Sequence, residues 1–253
     1  MNNIKIRILN PETVKTARDM AICAARLTQH GEEISNMDDF IALHDKSYSH
    51  QFLENLTLLP HPTLQKFSVI NVTVVGASRR FLAQITRHQN EVKFMSASLQ
   101  YSDYTDAASF CVPYEIIKAG YSEQYIAECQ RIMRNYKSFS DIVGHDAAGY
   151  VAPQGLRNVL IISATPFEWK HMINQRICRR NTSETRFVML MIWKELFKLD
   201  PILFSVKTTG AFCQQDKCLE RRMSCGNSLE NMTPDEILKT DFPIIYKGEK
   251  NED

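Results

Sequence analysis

The stretch Arg87-His88-Gln89 is followed, eight residues on, by Ser98-Leu99-Gln100-Tyr101. Gln84, Arg87 and His88 stand at i, i+3 and i+4, so a helix ending there shows an amide, a fixed cation and a titratable ring on one face. The next segment adds a hydroxyl and a phenol. Such a group suits a planar, polar, anionic ligand better than a hydrophobic core. Downstream, Arg176, Arg179 and Arg180 repeat that spacing, with His171 and Asn174 on the preceding turns. Each basic cluster also has a plain reading, as cations offsetting the dipole at a helix C-terminus. Taken alone, His171 and Asn174 read as half-buried polar groups.

The remaining reactive residues are less patterned. His61 sits in Leu59-Pro60-His61-Pro62, a rigid loop that can aim a ring or leave it idle. Glu32-Glu33 and Asp38-Asp39 read as solvated surface. There is no glycine-rich phosphate cradle, no His-Glu-x-x-His zinc helix and no nucleophile elbow. Cys213, Cys218 and Cys225 are spaced by five and seven residues. That is not a zinc-ribbon pattern, and no fourth ligand stands out. They read first as inert thiols or small apolar residues of a C-terminal lobe, with a metal only as the secondary reading, and none is assigned.

The elements that must position these residues follow from periodicity. Residues 4–9 alternate apolar and basic side chains, as in a half-buried strand. Asn10 caps a helix opening at Pro11, with Val14, Ala17, Met20 or Ala21, Ala24 and Leu27 as its buried stripe. A second helix is predicted over 37–56 and a strand over 67–75. Gly76 turns the chain, and Ser78 caps a helix running through 88. Residues 89–113 read as functional loop, 115–136 as a long amphipathic helix, 159–163 as a buried strand and 166–180 as a helix. Asn181 and Glu184 resemble a capping box for a last helix to about residue 199. That helix is apolar nearly all round, so it is predicted to pack in a subunit interface. From Lys247 the tail is expected to be disordered.

Bulk properties narrow the class. Lys+Arg 30 against Asp+Glu 29 in 253 residues leaves no global field to draw in nucleic acid, and Arg179-Arg180 is too short to be a footprint. Seven cysteines, an odd number in a chain too long to need staples, argue for a reducing compartment. The start lacks the apolar region of a signal peptide, and the longest apolar run, 187–193, is far short of a membrane span. The expectation is a soluble, cytoplasmic protein.

Order and spacing together resemble the flavin-dependent thymidylate synthase family, whose signature is Arg-His-Arg, a short spacer, then Ser-x-Arg-Tyr. Gly76-Ala77-Ser78-Arg79, Gln84 to Gln89 and Ser98 to Tyr101 carry the likeness. Tyr150-Val151-Ala152-Pro153 is similar to the family's Arg-x-x-Leu-Pro segment, and His171, Arg176 to Arg180 and Glu184-Thr185-Arg186 fall in register with its second block. The resemblance implies an α/β (α+β) fold, a twisted, mainly antiparallel sheet flanked by long helices, assembled as a homotetramer. It implies a synthase domain over 1–200, with 201–253 as a cysteine-containing extension. It also implies FAD as cofactor, NADPH and methylene-tetrahydrofolate as co-substrates, and dUMP methylated at C5 by hydride from reduced flavin. By position, Gln84, Arg87, Ser98 and Arg176 match nucleotide-holding residues, with Arg176 polarising the pyrimidine and Ser98 beside the chemistry. Thr63, Arg87, His88 and His171 fall at or near flavin contacts, with His61 one residue out of register. The ends near 88 and 180 are expected to converge across neighbouring protomers.

The chain departs from the pattern at named positions. Gln89, Gln100 and Gly149 stand where the family carries arginines, Ser96 where it carries an acid, and Thr165 and Phe167 at flavin-side positions normally Asn and Arg. The spacer is one residue longer. A charge-assisted hydrogen bond is worth roughly 1.5–3 kcal/mol, so losing two phosphate-facing arginines costs about 3–6 kcal/mol unless replaced. That is on the order of 10²–10⁴ in affinity. Lys93, Arg157 and Arg180 are candidate replacements. Three readings stand: the dUMP synthase, a flavin enzyme alkylating C5 of another pyrimidine nucleotide, and a non-catalytic flavin- or nucleotide-binding paralogue.

Overall fold

The computed structural model describes residues 1, 3–59, 61–215 and 218–246. Four strands, β1 (Lys5–Ile8), β2 (Ile70–Ser78), β3 (Val92–Ser96) and β4 (Arg157–Ala164), form one antiparallel sheet in the order β1-β2-β4-β3. Among the described residues ten α-helices accompany it: α1 (Pro11–Gln29), α2 (Met37–Asp45), α3 (His50–Leu58), α4 (Arg79–Ile85), α5 (Tyr114–Lys118), α6 (Ser122–Val143), α7 (His145–Ala148), α8 (Pro166–Arg176), α9 (Ser183–Leu199) and α10 (Pro234–Asp241). The architecture is thus helix-rich α+β.

The period-two alternation of β2 and β4 puts Ile70, Val72, Val74, Leu160, Ile162 and Ala164 on the inner face, all buried. At roughly 1.5–3 kcal/mol for each fully buried large aliphatic side chain, this face anchors the fold. Trp169 of α8 closes its lower end by donating Nε1–H to the Ile70 carbonyl at 3.1 Å. The outer face leaves Val75, Val159, Ile161 and Met95 exposed.

Several local expectations fail for tertiary reasons. Asn10 makes no side-chain cap on α1. Its amide instead bridges to the Val69 carbonyl (2.9 Å) and accepts from the Asn71 N–H (2.9 Å), tying the α1 start to β2. Leu27 is exposed, while Ile22, Cys23 and Ala25 join the buried side of α1. The helix over 37–56 is two helices. Ser49 caps α3 through the Phe52 N–H, and Tyr48 in the break stacks on Phe52 under the Arg26 guanidinium. The region 89–113 contains β3, an edge strand whose Phe94 pairs with Ile162. The helix over 115–136 breaks near Gly120 and resumes as α6, which runs on to Val143.

The capping box at Asn181 is not formed. Thr182 precedes α9, Asn181 donates to the Gln175 carbonyl at 2.7 Å, and Glu184 reaches back to Ser78. It accepts from the Ser78 backbone N–H (2.6 Å) and hydroxyl (2.5 Å). The subunit-interface role for α9 is also overturned. Phe187 to Leu190, Ile192, Trp193 and Leu196 are buried within one chain. The far side of α9 is covered by Leu203, Phe204, Ile237, Leu238 and Phe242 of the C-terminal segment. That cover is latched by polar groups: Trp193 Nε1 donates to the Phe204 carbonyl (2.9 Å), Lys194 pairs with Asp235 (2.9 Å), and Arg186 pairs with Asp241. The tail from Lys247 lies outside the described residues.

Gly76 marks the bulge in β2 between Val75 and Ala77, at φ +87°. A Cβ there would stand 2.8 Å from the backbone oxygen of Asn3. Gly76→Ala is expected to cost about 1–3 kcal/mol from the left-handed strain alone, read as a lower urea midpoint at unchanged m-value. A midpoint unmoved by the substitution would contradict this account of the bulge.

Candidate active site

The two basic clusters meet inside a single chain. Helix α4 is started by Ser78, whose Oγ accepts the Phe81 N–H at 3.1 Å, and it stops at Ile85 rather than 88. Arg87 and His88 therefore lie in the following turn, with His88 turned inward and Arg87 and Gln89 outward. Helix α8 is started by Thr165, which accepts the Glu168 N–H at 3.4 Å, and it stops at Arg176 rather than 180. Arg176 Nε donates to His88 Nε2 at 2.8 Å. The His171 ring stands edge-on to His88, 5.9 Å between centroids, and His171 Nε2 accepts from the Gln175 amide at 2.9 Å.

Electrostatics fix the protonation states. A nitrogen that accepts from a guanidinium cannot carry a proton, so His88 is the neutral tautomer with its proton on Nδ1. Burial, then the charges of Arg176 and His171, push its pKa down to about 4. His88 Nδ1 lies 3.8 Å from Glu168 Oε1. Burial, followed by the Glu91 charge, raises Glu168 to about 7 against an opposing pull from Lys66. Below neutral pH the two groups therefore touch as uncharged partners, not as an ion pair. Burial and then Arg87 lower the pKa of Arg176. Both influences disfavour the cation, which marks a site arranged for an anion that the chain does not supply.

Other expected site residues lie apart from this cluster. Among the described residues no hydrogen bond or ion pair joins Gln84, Ser98, Gln100, His61 or Thr63 to it. Ser98 Oγ accepts the Gln100 N–H at 3.0 Å in a local turn, and His61 and Thr63 are exposed beside a 3₁₀ turn. Ser96, at the end of β3, borders a cavity of about 480 Å³ with Arg79, Thr86 and Gln154. Phe167 packs beneath the Lys66 ammonium, 5.1 Å from the ring centre, with Lys66 also bonded to Glu91 at 2.7 Å.

Sequence reasoning missed Glu168, Lys66 and Arg79. Glu168 at the third position of α8 carries the signal of an ordinary N-terminal acid, and only burial distinguishes it. Arg79 Nη1 is buried without a partner at the cavity that Ser96 lines. Arg179 proves structural: it grips Asp241 with Nε (3.1 Å) and Nη2 (2.8 Å) and donates to the Asn227 carbonyl (3.0 Å).

His88, Glu168 and His171 bring ligand atoms within 4.8 Å of one another. A metal ion there would sit beside the Arg176 cation, whose Nε already donates to the other nitrogen of the His88 ring, so this trio suits an organic ligand better. Among the described residues no helix is long and apolar enough to cross a membrane.

The site thus pairs a buried histidine with a half-buried arginine beside a four-stranded antiparallel sheet packed by helices, in an α+β architecture. A profile described as thymidylate synthase complementing protein matches residues 12–202. The chain belongs to this family, the flavin-dependent thymidylate synthases, and is an enzyme. No curated protein matches it in sequence. Among solved structures it is similar to thymidylate synthase X of Helicobacter pylori with FAD and dUMP, at 14% identity and a TM-score of 0.60, covering 80% of this chain and 97% of that one. It is also similar to the UMP/dUMP methylase PolB of Streptomyces cacaoi bound with 5-Br dUMP, at 14% identity and a TM-score of 0.63, covering 81% and 95%. Likenesses at this identity carry the fold alone.

The raised Glu168 pKa has a checkable consequence. The folded chain holds this proton up to about pH 7, whereas an unfolded carboxyl releases it near 4.5. The group's contribution is thus complete below 4.5 and is lost as pH rises through 7. Relative to Glu168→Gln, the wild-type chain should lose about 1–3 kcal/mol between pH 5 and 8 in paired denaturant titrations. A pH-independent difference between the two proteins would refute this protonation state.

Proposed function

We propose that this enzyme is an FAD-dependent thymidylate synthase that reductively methylates dUMP to dTMP, with methylene-tetrahydrofolate as carbon donor and NADPH as reductant. The observation that carries the reading is Arg176. Its Nε is held by a neutral histidine, and its two Nη nitrogens have no hydrogen-bond partner among the described residues. A planar, fixed cation with open donors can stabilise negative charge developing on a pyrimidine ring and make C5 electron-rich. Keeping His88 uncharged matters, because a protonated ring would repel Arg176 and turn it from its place.

The residues present fit a flavin. Arg87 and Arg176 form a cation pair without an internal counter-ion, and His88, His171 and Phe167 offer ring edges and faces suited to a planar heterocycle. Bound there, reduced FAD supplies the hydride. His88 and His171 would hold it, with Thr63, His61, Gln89 and Thr165 as outer contacts. Lys66 brings a cation over Phe167, the position where the family carries arginine. Gln84, Ser96, Ser98 and Gln100 would complete the nucleotide side.

The missing phosphate cations also find a candidate. Arg157 is committed to the Phe110 carbonyl at 3.1 Å, and Arg180 faces a different cavity. Arg79 instead lines the cavity that Ser96 borders, and its buried Nη1 has no hydrogen-bond partner. We assign it the nucleotide phosphate. A second reading, C5-alkylation of another pyrimidine nucleotide, is favoured by Gly149. Its α-carbon is packed so closely that a Cβ would lie 3.3 Å from Leu99, leaving that arginine unreplaced in place. A homotetramer is supported by the exposed apolar outer face of the sheet, where Met95 pairs with Ile161 and Val75 with Val159.

Three measurements test the assignment. Release of tritium from C5-labelled dUMP by the FAD-loaded protein should be detectable, and its absence alongside turnover of another pyrimidine nucleotide would transfer the reading to the second. Arg176→Ala should lower kcat by at least about 10²-fold with flavin retained, whereas His88→Ala should first weaken FAD binding; full turnover in both variants would displace the site. Arg79→Ala should raise the nucleotide KM by about 10–100-fold with little change in kcat, and an unchanged KM would return the phosphate to another cation.

A further inference from the structure

We infer that Cys178, Cys213, Cys218 and Cys225 form a tetrathiolate site for a soft divalent cation of the zinc class, joining the C-terminal segment to the turn that ends α8. The seven cysteines divide sharply. Cys23, Cys111 and Cys129 are buried within the fold, as inert thiols are. The other four all line one cavity of about 810 Å³, and all four thiols are free. Three of them belong to the segment after residue 212; the fourth, absent from any local spacing pattern, comes from the α8–α9 turn two residues beyond Arg176.

The backbone around the cavity is built to hold these positions. Arg179 donates to the Asn227 carbonyl at 3.0 Å, and Ser228 Oγ donates to the Cys213 carbonyl at 3.1 Å, so the two ends of the loop are pinned to its wall. Cys225 is followed by Gly226 at φ +70°, with open space where a Cβ would lie. Conformation rather than crowding therefore favours glycine there, and the left-handed turn leaves the thiol of Cys225 free to swing from the Asn227 carbonyl it meets at 3.5 Å. Among the described residues no three of these sulfurs lie within 4.8 Å of one another. Coordination thus requires the exposed Cys218 and Cys225 to move inward, which their places in an irregular loop allow.

The chemistry balances without any redox step. Four thiols release four protons to solvent, and the divalent ion takes four thiolates in the closed tetrahedral arrangement of structural zinc. Arg180 on the cavity wall offsets part of the net negative charge of that centre. A disulfide would need an external oxidant and would leave two of the four sulfurs unused. Bound metal would fix the turn beyond Arg176 and so position the catalytic cation without touching substrate.

The test uses the full chain purified under reducing conditions without chelator. Elemental analysis should find about one zinc per chain, and cobalt exchange should give the thiolate charge-transfer and intense visible bands of a tetrahedral sulfur site. Cys213→Ser and Cys225→Ser should each lower retained metal at least about tenfold, while Cys129→Ser keeps it. Wild-type protein that takes up neither zinc nor cobalt, a cobalt spectrum without thiolate bands, or full loading in Cys213→Ser would overturn the site. So would a disulfide between any two of the four mapped by mass spectrometry in the freshly isolated protein. Metal content is read with or without flavin and nucleotide, so this result stands apart from that for the synthase reading.

Discussion

Helix α9 is apolar all round over Phe187 to Trp193, and such a stretch must be covered by packing on more than one side. That constraint organises the molecule. The inner sheet face and α1 take one side, α8 packs along another, and the C-terminal segment with α10 closes the last. The closure is electrostatically keyed at Asp241. Burial alone would raise its pKa, but the hydrogen bonds and charges of Arg179 and Arg186 outweigh burial and hold it below the ordinary range. A carboxylate bound by two guanidiniums at a partly buried position is costly to break from one side only. Because Arg179 follows Arg176 by three residues, the same clamp that covers α9 also sets where α8 ends and where its terminal arginine points.

The site gains its character from what it lacks. A half-buried arginine beside a histidine would ordinarily share a carboxylate. Here Glu168 sits within reach of His88 yet is held near neutrality by desolvation and by Glu91. The cations are thus left unquenched while the ring that orients one of them stays uncharged. In the proposed synthase, binding an anionic, planar ligand would relieve the mutual repulsion of Arg87 and Arg176. Arg79 is a second cation of this kind: its buried Nη1 has no hydrogen-bond partner, and the residue lines the cavity that Ser96 borders.

Local signals that depend on near neighbours could be read correctly in advance. The alternation of β2, the Ser78 cap and the starts of α1 and α8 follow from periodicity and short-range hydrogen bonding, whereas the strand over 159–163, expected to be buried, alternates and leaves Val159 and Ile161 exposed on the outer face. Failures came where a distant partner won. Asn181 and Glu184 look like a capping box, but Glu184 finds Ser78 across 106 positions of chain. Residues 92–96 look like loop because an edge strand with half-buried Val92 and Phe94 has a weak pattern, and only pairing with β4 makes it a strand. Glu168 carries no local mark of its own, and although Arg79 and Cys178 fall within the family-like stretches, their surroundings rest on burial and on what lies opposite.

By itself the sequence determined the family, through the order of Gln84, Arg87, His88, Ser98 and Arg176. Periodicity also gave the presence of an apolar helix near residue 190. These are properties of types and spacings, which a linear chain states directly. Only the tertiary structure decided that the two basic clusters meet within one protomer and that α9 is covered by its own C-terminus. It alone assembled Cys178 with three cysteines of a segment that begins more than thirty residues later. Desolvation and contact are sums over residues remote in sequence, so neither the neutral His88 nor the four-sulfur cavity exists until the chain has folded.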